Sequence, residues 1–424
     1  MKDIIFLPWR DIHNFRKEGF RVREGNIIKN IAMREDVNKL LVINRAKNLK
    51  SIFTNKSSGM EVNKNLLPNK KLCCKFLGCK LYMIEEKLFS LELPDFLFNK
   101  GDNELEKYAV FQNFLFKIIK KASIFLDIDL NSQETWVWSS DLSRSFIFNK
   151  LNKKDMSCIK IFDTIDNLVQ HKAYSEAQRI KNAERYEIVN KNTDVIFSVS
   201  ESNLKILYKD NDNRVRKYHI QNGIDANRFE NLKSITKHIK RSNEKLVCGY
   251  VGVIESRVDY NLLKEIALKE KRIEFQLVGP VLEEGNADLD ILKSLDNVKF
   301  TGPVSYDKVP EIIHNFDICI MPHVINTFTN SMSPLKFYEY LAANKPVIMT
   351  KVPPAEYVSN LNRVFIASTT DEWINAIKEA SLVFDDELKK DIQRQNLIDK
   401  HSWGKLVDDM FNSILNEDTK EVSG

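Results

Sequence analysis

Short runs of β-branched and aromatic residues alternate with longer amphipathic stretches along this chain, the rhythm of βαβ units whose strands pair in parallel. The first half predicts strands near residues 4–7, 40–43, 136–138, 159–162, 195–199 and 217–220, helices over 104–121 and 176–190, and a hairpin over 73–82 turning at Gly78. A polar, lysine-rich segment over 229–245 has little to bury and reads as an interdomain linker. Beyond it the rhythm restarts, with strands near 246–251, 275–278, 298–300, 318–321, 347–349 and 364–366 and helices over 260–268, 309–314, 335–343 and 373–384. Apolar residues at helical spacing over 403–415 add a final helix. The expected fold class is α/β, with two Rossmann-like, doubly wound domains in series: residues 1–228 and 246–400, joined by the 229–245 linker and followed by a helix and tail over 401–424.

The 424 residues are too many for one hydrophobic core, and 43% hydrophobic with 29% charged residues describes a globular chain, not a disordered one. The net charge of +5 hides an asymmetry. Residues 1–230 carry 40 Lys and Arg against 30 Asp and Glu, residues 231–424 carry 24 against 29, and residues 1–80 alone carry 18 against 7. The apolar run at the N-terminus is cut short by Pro8 and charges, and no stretch approaches a membrane span, so the expected location is cytoplasmic. The basic N-terminal end is then a candidate contact for an anionic membrane surface at the inner face, with a merely lysine-rich solvated surface as the other reading. Three of the six cysteines lie alone in strand-like runs, and Cys73, Cys74 and Cys79 lack a second ligand pair at zinc-site spacing; buried reduced thiols are expected and no metal site.

In open α/β sheets ligands lie beyond the carboxyl ends of the strands. The run from Ser331 to Ile348 begins as a polar loop after a strand and turns helical beyond Pro334, whose missing N–H costs nothing in a first turn. Such a helix start suits a diphosphate, Lys336 adds a full positive charge, and Glu339 follows one turn on the same face as an acceptor for sugar hydroxyls. A surface Lys–Glu pair has the same spacing. Gly252, just after a strand, would permit close backbone approach to phosphate, and Arg257 could add charge there or stand as an exposed loop residue. Asp163 and Asp166, immediately after the 159–162 strand, are the best-placed carboxylates for acid–base work, although an Asp there also suits a helix cap; His171 lies five residues past Asp166. Asn222-Gly223 reads as a turn and a possible interdomain hinge. No G-x-G-x-x-G follows the first strand, which disfavours a dinucleotide dehydrogenase, and the basic residues lack the aromatic interleaving of a nucleic-acid binder.

The string SPLKFYEYLAANKPVI resembles the nucleotide-sugar motif of GT-B glycosyltransferases, especially bacterial enzymes of the family 4 type that build cell-surface polysaccharides and teichuronic-type polymers. YVGVIESRVD at Tyr250, FQLVGPV at Phe275, FTGPVSYDKVPEIIHNFDICIMP at Phe300, HIQNGIDANRF at His219 and TDVIFSVSES at Thr193 fall in the matching order, over residues 158–400. The resemblance implies two domains facing a cleft, a C-terminal domain that holds a nucleotide-sugar donor, and an N-terminal domain that holds a glycan or polyprenyl-diphosphate-linked acceptor. It implies no tightly bound metal or other cofactor. Glu339 takes the place of the ribose-binding glutamate, and Lys336 that of a diphosphate contact. Ser331 stands where the family often has a second acid, so the backbone amides of Asn330, Ser331 and Met332 are expected at the sugar end, with Ser333 a further donor-binding residue. Val253 and Val258 stand where an Arg and a Lys are common, which makes the neighbouring Arg257 the substitute; residues 302–306, including Val304, would border the nucleobase. Asp166 stands where a histidine is familiar, as general base or acceptor-orienting group. The implied activity is glycosyl transfer to a glycan or lipid-linked acceptor in cell-surface polysaccharide synthesis. A sugar-nucleotide epimerase of the same fold is the enzyme alternative and a nucleic-acid-binding protein the non-enzyme one.

Overall fold

The structure, a computed structural model, describes residues 1–45, 70–94, 109–152, 156–171, 174–208, 214–230, 245–382 and 391–416. It divides into two compact units, Met1–Gln221 with Val407–Gly424, and Asn222–Leu406.

The first unit is built on nine strands among the described residues: β1 (Lys2–Leu7), β2 (Val37–Ile43), β3 (Lys71–Phe76), β4 (Cys79–Met83), β5 (Leu88–Glu92), β6 (Thr135–Ser139), β7 (Ile159–Thr164), β8 (Val195–Ser198) and β9 (Arg216–His219). Their order is β3-β4-β5-β2-β1-β6-β7-β8-β9. Pairing is parallel from β5 to β9, and antiparallel only through β3, β4 and β5. Every residue of β6 is buried, Trp136 and Trp138 at 0% exposure, as expected for a central strand covered on both faces. The expected hairpin is β3–β4, turned through Leu77 and Gly78. Four of the six cysteines are buried, and all six are free thiols.

The second unit carries six parallel strands among the described residues, β10 (Leu246–Val251), β11 (Ile273–Val278), β12 (Val298–Gly302), β13 (Ile318–Met321), β14 (Val347–Met349) and β15 (Val364–Ile366), in the order β12-β11-β10-β13-β14-β15. Side-chain alternation splits their residues between two apolar layers: Cys248, Tyr250, Ile318 and Ile320 pack on one face, Val251, Cys319 and Met321 on the other. Helix Thr370–Ser381 starts with a full capping box, Thr369 with Glu372, which fixes its entry three residues ahead of the expected 373.

Two expected boundaries move. The second unit begins at Asn222 because that segment is already tied to it: the Ile224 amide donates to the His401 carbonyl at 2.8 Å, and Phe229 is fully buried in its core. Residues 231–244 of the expected linker lie outside the described residues. The last helix, Trp403–Leu415, counts with the first unit from Val407 onward, since Phe411 packs on Trp136 at 4.7 Å between ring centroids and Arg216 donates to the Ser413 and Ile414 carbonyls. Residues 104–108 of the expected helix over 104–121 lie outside the described residues; its described part is Ala109–Phe125. Among the described residues no helix is long and apolar enough to cross a membrane.

Candidate functional site

In the second unit the chain turns sharply after β10 and β11, and glycines make this possible. Gly252 has φ +146°, and a Cβ there would lie 2.9 Å from Lys336 Nζ; Gly279 has φ +143°, and a Cβ there would lie 2.0 Å from the Gly252 carbonyl oxygen. The two loops therefore lie against each other and leave the space over Gly252 to the Lys336 side chain. Gly252→Ala is expected to lose about 1–3 kcal/mol of stability through backbone strain and to displace Lys336. Thermal denaturation checks this, and an unchanged midpoint would count against the close packing described.

Lys336 sits in the first turn of helix Leu335–Ala342, which Pro334 precedes. Its Nζ donates to the Tyr250 hydroxyl at 2.5 Å and stands 3.9 Å from that ring's centroid. Burial, reinforced by the Arg257 charge, pushes its pKa well below the ordinary lysine value, against the pull of Glu339 and Glu255. Arg257 is ion-paired with Glu255, and its buried Nε has no acceptor. Val258 is 2% exposed and Val253 offers its carbonyl to the Tyr250 hydroxyl at 3.1 Å, so neither substitutes for a phosphate-binding cation.

Glu339 is buried one turn beyond Lys336, in hydrogen-bond contact with the Tyr306 hydroxyl. Burial and then the Glu339 charge hold the Tyr306 phenol well above its usual pKa, so it stays protonated as a donor to that carboxylate. Arg228 stacks on Tyr306, its guanidinium carbon 3.5 Å from the ring centroid, and donates to the Tyr306 carbonyl at 2.5 Å. Tyr250 and Arg228 escape the sequence reading because each stands in a run that reads as a strand or a loop, whereas Tyr306 ends the 302–306 stretch expected to border the nucleobase. Val304 packs half-buried on the same apolar layer as Val251 and Phe337.

The polar loop before this helix turns inward. The Asn330, Ser331 and Met332 amides donate to the Asn326, Phe328 and Thr329 carbonyls, and the Ser331 hydroxyl donates to Phe328 at 2.7 Å. Ser333 accepts the Asn222 amide at 3.0 Å and offers its carbonyl to Asn222 Nδ2 at 2.6 Å. The Asn330, Ser331 and Met332 amides expected at the sugar end are thus engaged within the chain, at a short 3₁₀ turn over Thr329–Ser331, while the Asn330 side chain is exposed. The Ser333 clamp ties Asn222 to the second unit.

In the first unit Asp163 and Asp166 part company. Asp163 is 0% exposed and accepts both Arg23 Nε (2.8 Å) and Arg23 Nη2 (3.0 Å), a bidentate ion pair that corrects its expected acid–base role. Asp166 is exposed at the end of β7, its carbonyl accepting the Tyr186 hydroxyl at 2.8 Å, while Asn167 caps the following turn through Oδ1. His171 packs edge-on against Tyr174. Sequence reasoning also missed Glu24, a buried carboxyl that accepts the Trp9 amide at 2.7 Å and the Ser140 hydroxyl. Among the described residues no three His, Cys, Asp or Glu side chains converge as a metal ion requires.

Residues 245–381 match the family described as glycosyl transferases group 1. Over 199 residues the chain is 29% identical to the putative teichuronic acid biosynthesis glycosyltransferase TuaH of Bacillus subtilis (strain 168), covering 46% of this chain and 49% of TuaH; the match thus spans about half the length of that relative. Sucrose-phosphate synthase from Thermosynechococcus elongatus shares the fold at TM-score 0.62 with 12% identity, over 97% of this chain and 98% of that one. Anabaena HepE in complex with UDP and glucose does so at 0.58 with 14% identity, over 98% and 99%. An E. coli trehalose-6-phosphate protein bound with UDP-2-fluoro glucose does so at 0.61 with 10% identity, over 97% and 99%. The fold expected from the sequence, GT-B, is the fold observed.

Proposed function

We propose, from a chain whose residues 245–381 form a glycosyl transferases group 1 domain, that it moves a sugar from a nucleotide-sugar donor to a glycan or lipid-linked acceptor in bacterial cell-surface polysaccharide synthesis. The observation that carries the reading is the pairing of Lys336 and Glu339 on one face of a helix start, over a glycine seat that keeps the backbone out of the way. Glu339, already holding a phenolic donor, accepts the nucleotide's ribose hydroxyls; Lys336 and Arg257 take the diphosphate; residues 302–306 with Val304 border the base. Stabilising the departing diphosphate is electrostatic work, suited to a cation preset in a buried place. Asp166 is the carboxylate assigned to the acceptor hydroxyl. The uridine nucleotides held by two proteins of the same fold make UDP the first probe.

Lys336→Ala and Glu339→Ala are each expected to weaken UDP binding about 10- to 100-fold in calorimetry, the scale of one charged hydrogen bond. Unchanged affinity in both would reject the assignment. Product analysis separates the epimerase alternative: a new nucleotide sugar formed without acceptor supports it, and acceptor-dependent transfer excludes it.

The basic N-terminal end does not strengthen a membrane contact. All six arginines of residues 1–80 (Arg10, Arg16, Arg21, Arg23, Arg34 and Arg45) are ion-paired with carboxylates, which leaves the excess to lysines.

A further inference from the structure

His323 stands two residues beyond β13 and is 1% exposed. Its backbone is clamped from two sides: its amide donates to Thr350 Oγ1 at 3.1 Å while its carbonyl accepts that same hydroxyl at 2.7 Å, and it pairs with Val258 in an isolated antiparallel bridge. Its Nε2 is buried without a hydrogen-bond partner, and the ring stands edge-on to Tyr250, 6.2 Å between centroids, on the residue whose hydroxyl receives Lys336. A second buried nitrogen of the same place, Arg257 Nε, also lacks an acceptor. A buried imidazole nitrogen and a buried guanidinium N–H, both without partners beside an enclosed lysine, describe a place that an anion from outside the chain would complete.

Burial first, then the Lys336 and Arg257 charges, lower the imidazole pKa. His323 is tied to the Arg257 segment, bridging to Val258 while the Val324 amide donates to the Arg257 carbonyl at 2.9 Å, whereas Glu339 contacts Tyr306. His323 therefore belongs to the Arg257 end of the cluster and Glu339 to the other. We propose that His323 is a further donor-binding residue, giving its Nε2–H to an oxygen of the distal phosphate of a nucleoside diphosphate, beside Lys336 and Arg257. The inference rests on the donor-site reading above, which places the ribose at Glu339 and so the distal phosphate at the opposite end. A neutral imidazole adds a directed hydrogen bond there without a third cation packed against the other two.

The test compares UDP, GDP and ADP with their monophosphates by calorimetry, in the full chain and in His323→Ala and His323→Gln. For whichever nucleoside binds, His323→Ala should weaken the diphosphate about tenfold or more and the monophosphate less than twofold, with His323→Gln, which keeps an N–H donor, recovering part of the loss. In the unaltered chain, adding the diphosphate should shift the His323 Nε2 resonance in an imidazole nitrogen spectrum, and adding the monophosphate should not. Equal losses for both nucleotides, or no loss in a variant that melts like the parent, overturn the His323 assignment alone. Failure of the unaltered chain to bind any of the three diphosphates overturns the donor-site reading and this inference with it.

Discussion

Replacing Arg23 by methionine is expected to destabilise the first unit by about 3–5 kcal/mol, because it strands a buried carboxylate. Arg23 and Asp163 are 1% and 0% exposed, and the guanidinium spends three nitrogens at once: Nε and Nη2 on Asp163, and Nη1 on the Gln221 carbonyl at 2.8 Å. The pair joins the start of helix Arg23–Ala32 to the end of β7 across 140 residues of sequence. Removing one partner leaves the other unpaired in a low-dielectric place, whereas removing both with apolar residues of similar size can be nearly neutral. Denaturant unfolding followed by amide exchange in β6 and β7 should therefore show a large loss in Arg23→Met and substantial recovery when Asp163→Leu is added. A loss below 1 kcal/mol in the single variant would show the pair to be solvated. Recovery in the double variant would also confirm that Asp163 is held as a structural anion.

This pair marks where the sequence stops being informative. The strands of the second unit are legible because each is a short apolar run with turn residues on both sides; β10, β13, β14 and β15 lie where the pattern places them. Helix Arg23–Ala32 is not legible, since Gly25 and Asn26 sit inside it. Its glycine is a packing choice: a Cβ there would press on the Phe15 ring at 3.2 Å, a contact that no local pattern announces. β5 is likewise lost, being a five-residue strand reached through a charged turn. At the site, Lys336 and Glu339 are legible because a helix start gives spacing a chemical meaning. Asp163 reads as a catalytic acid only until the arginine 140 residues away is in view, and the Ser331 amide as free for a sugar only until its loop is seen to close on itself. Sequence position finds groups near a strand end; whether a group is free depends on partners from elsewhere in the chain.

Glu24 turns the same point into a pH dependence. Burial pushes its carboxyl up from 4.5 to about 7; Ser140 and the Trp9 amide, both donating to Oε1, pull it down, and the charges of Asp141 and Asp163 push it further up. Because the folded pKa lies above the unfolded one, the folded chain binds more protons between pH 4.5 and 7, and stability falls as pH rises through that window. Across it the loss amounts to about 3 kcal/mol, complete once pH exceeds the folded value. Glu24→Gln has no proton to lose and can still accept both donors through its amide oxygen. Relative to the parent it should therefore gain about 3 kcal/mol on going from pH 4 to pH 8, with the difference opening above pH 4.5. Unfolding free energies measured every half pH unit in both proteins give the result directly. Parallel curves would mean that Glu24 ionises freely in the folded chain, and that its enclosure by Trp9 and Ser140 does not keep water out.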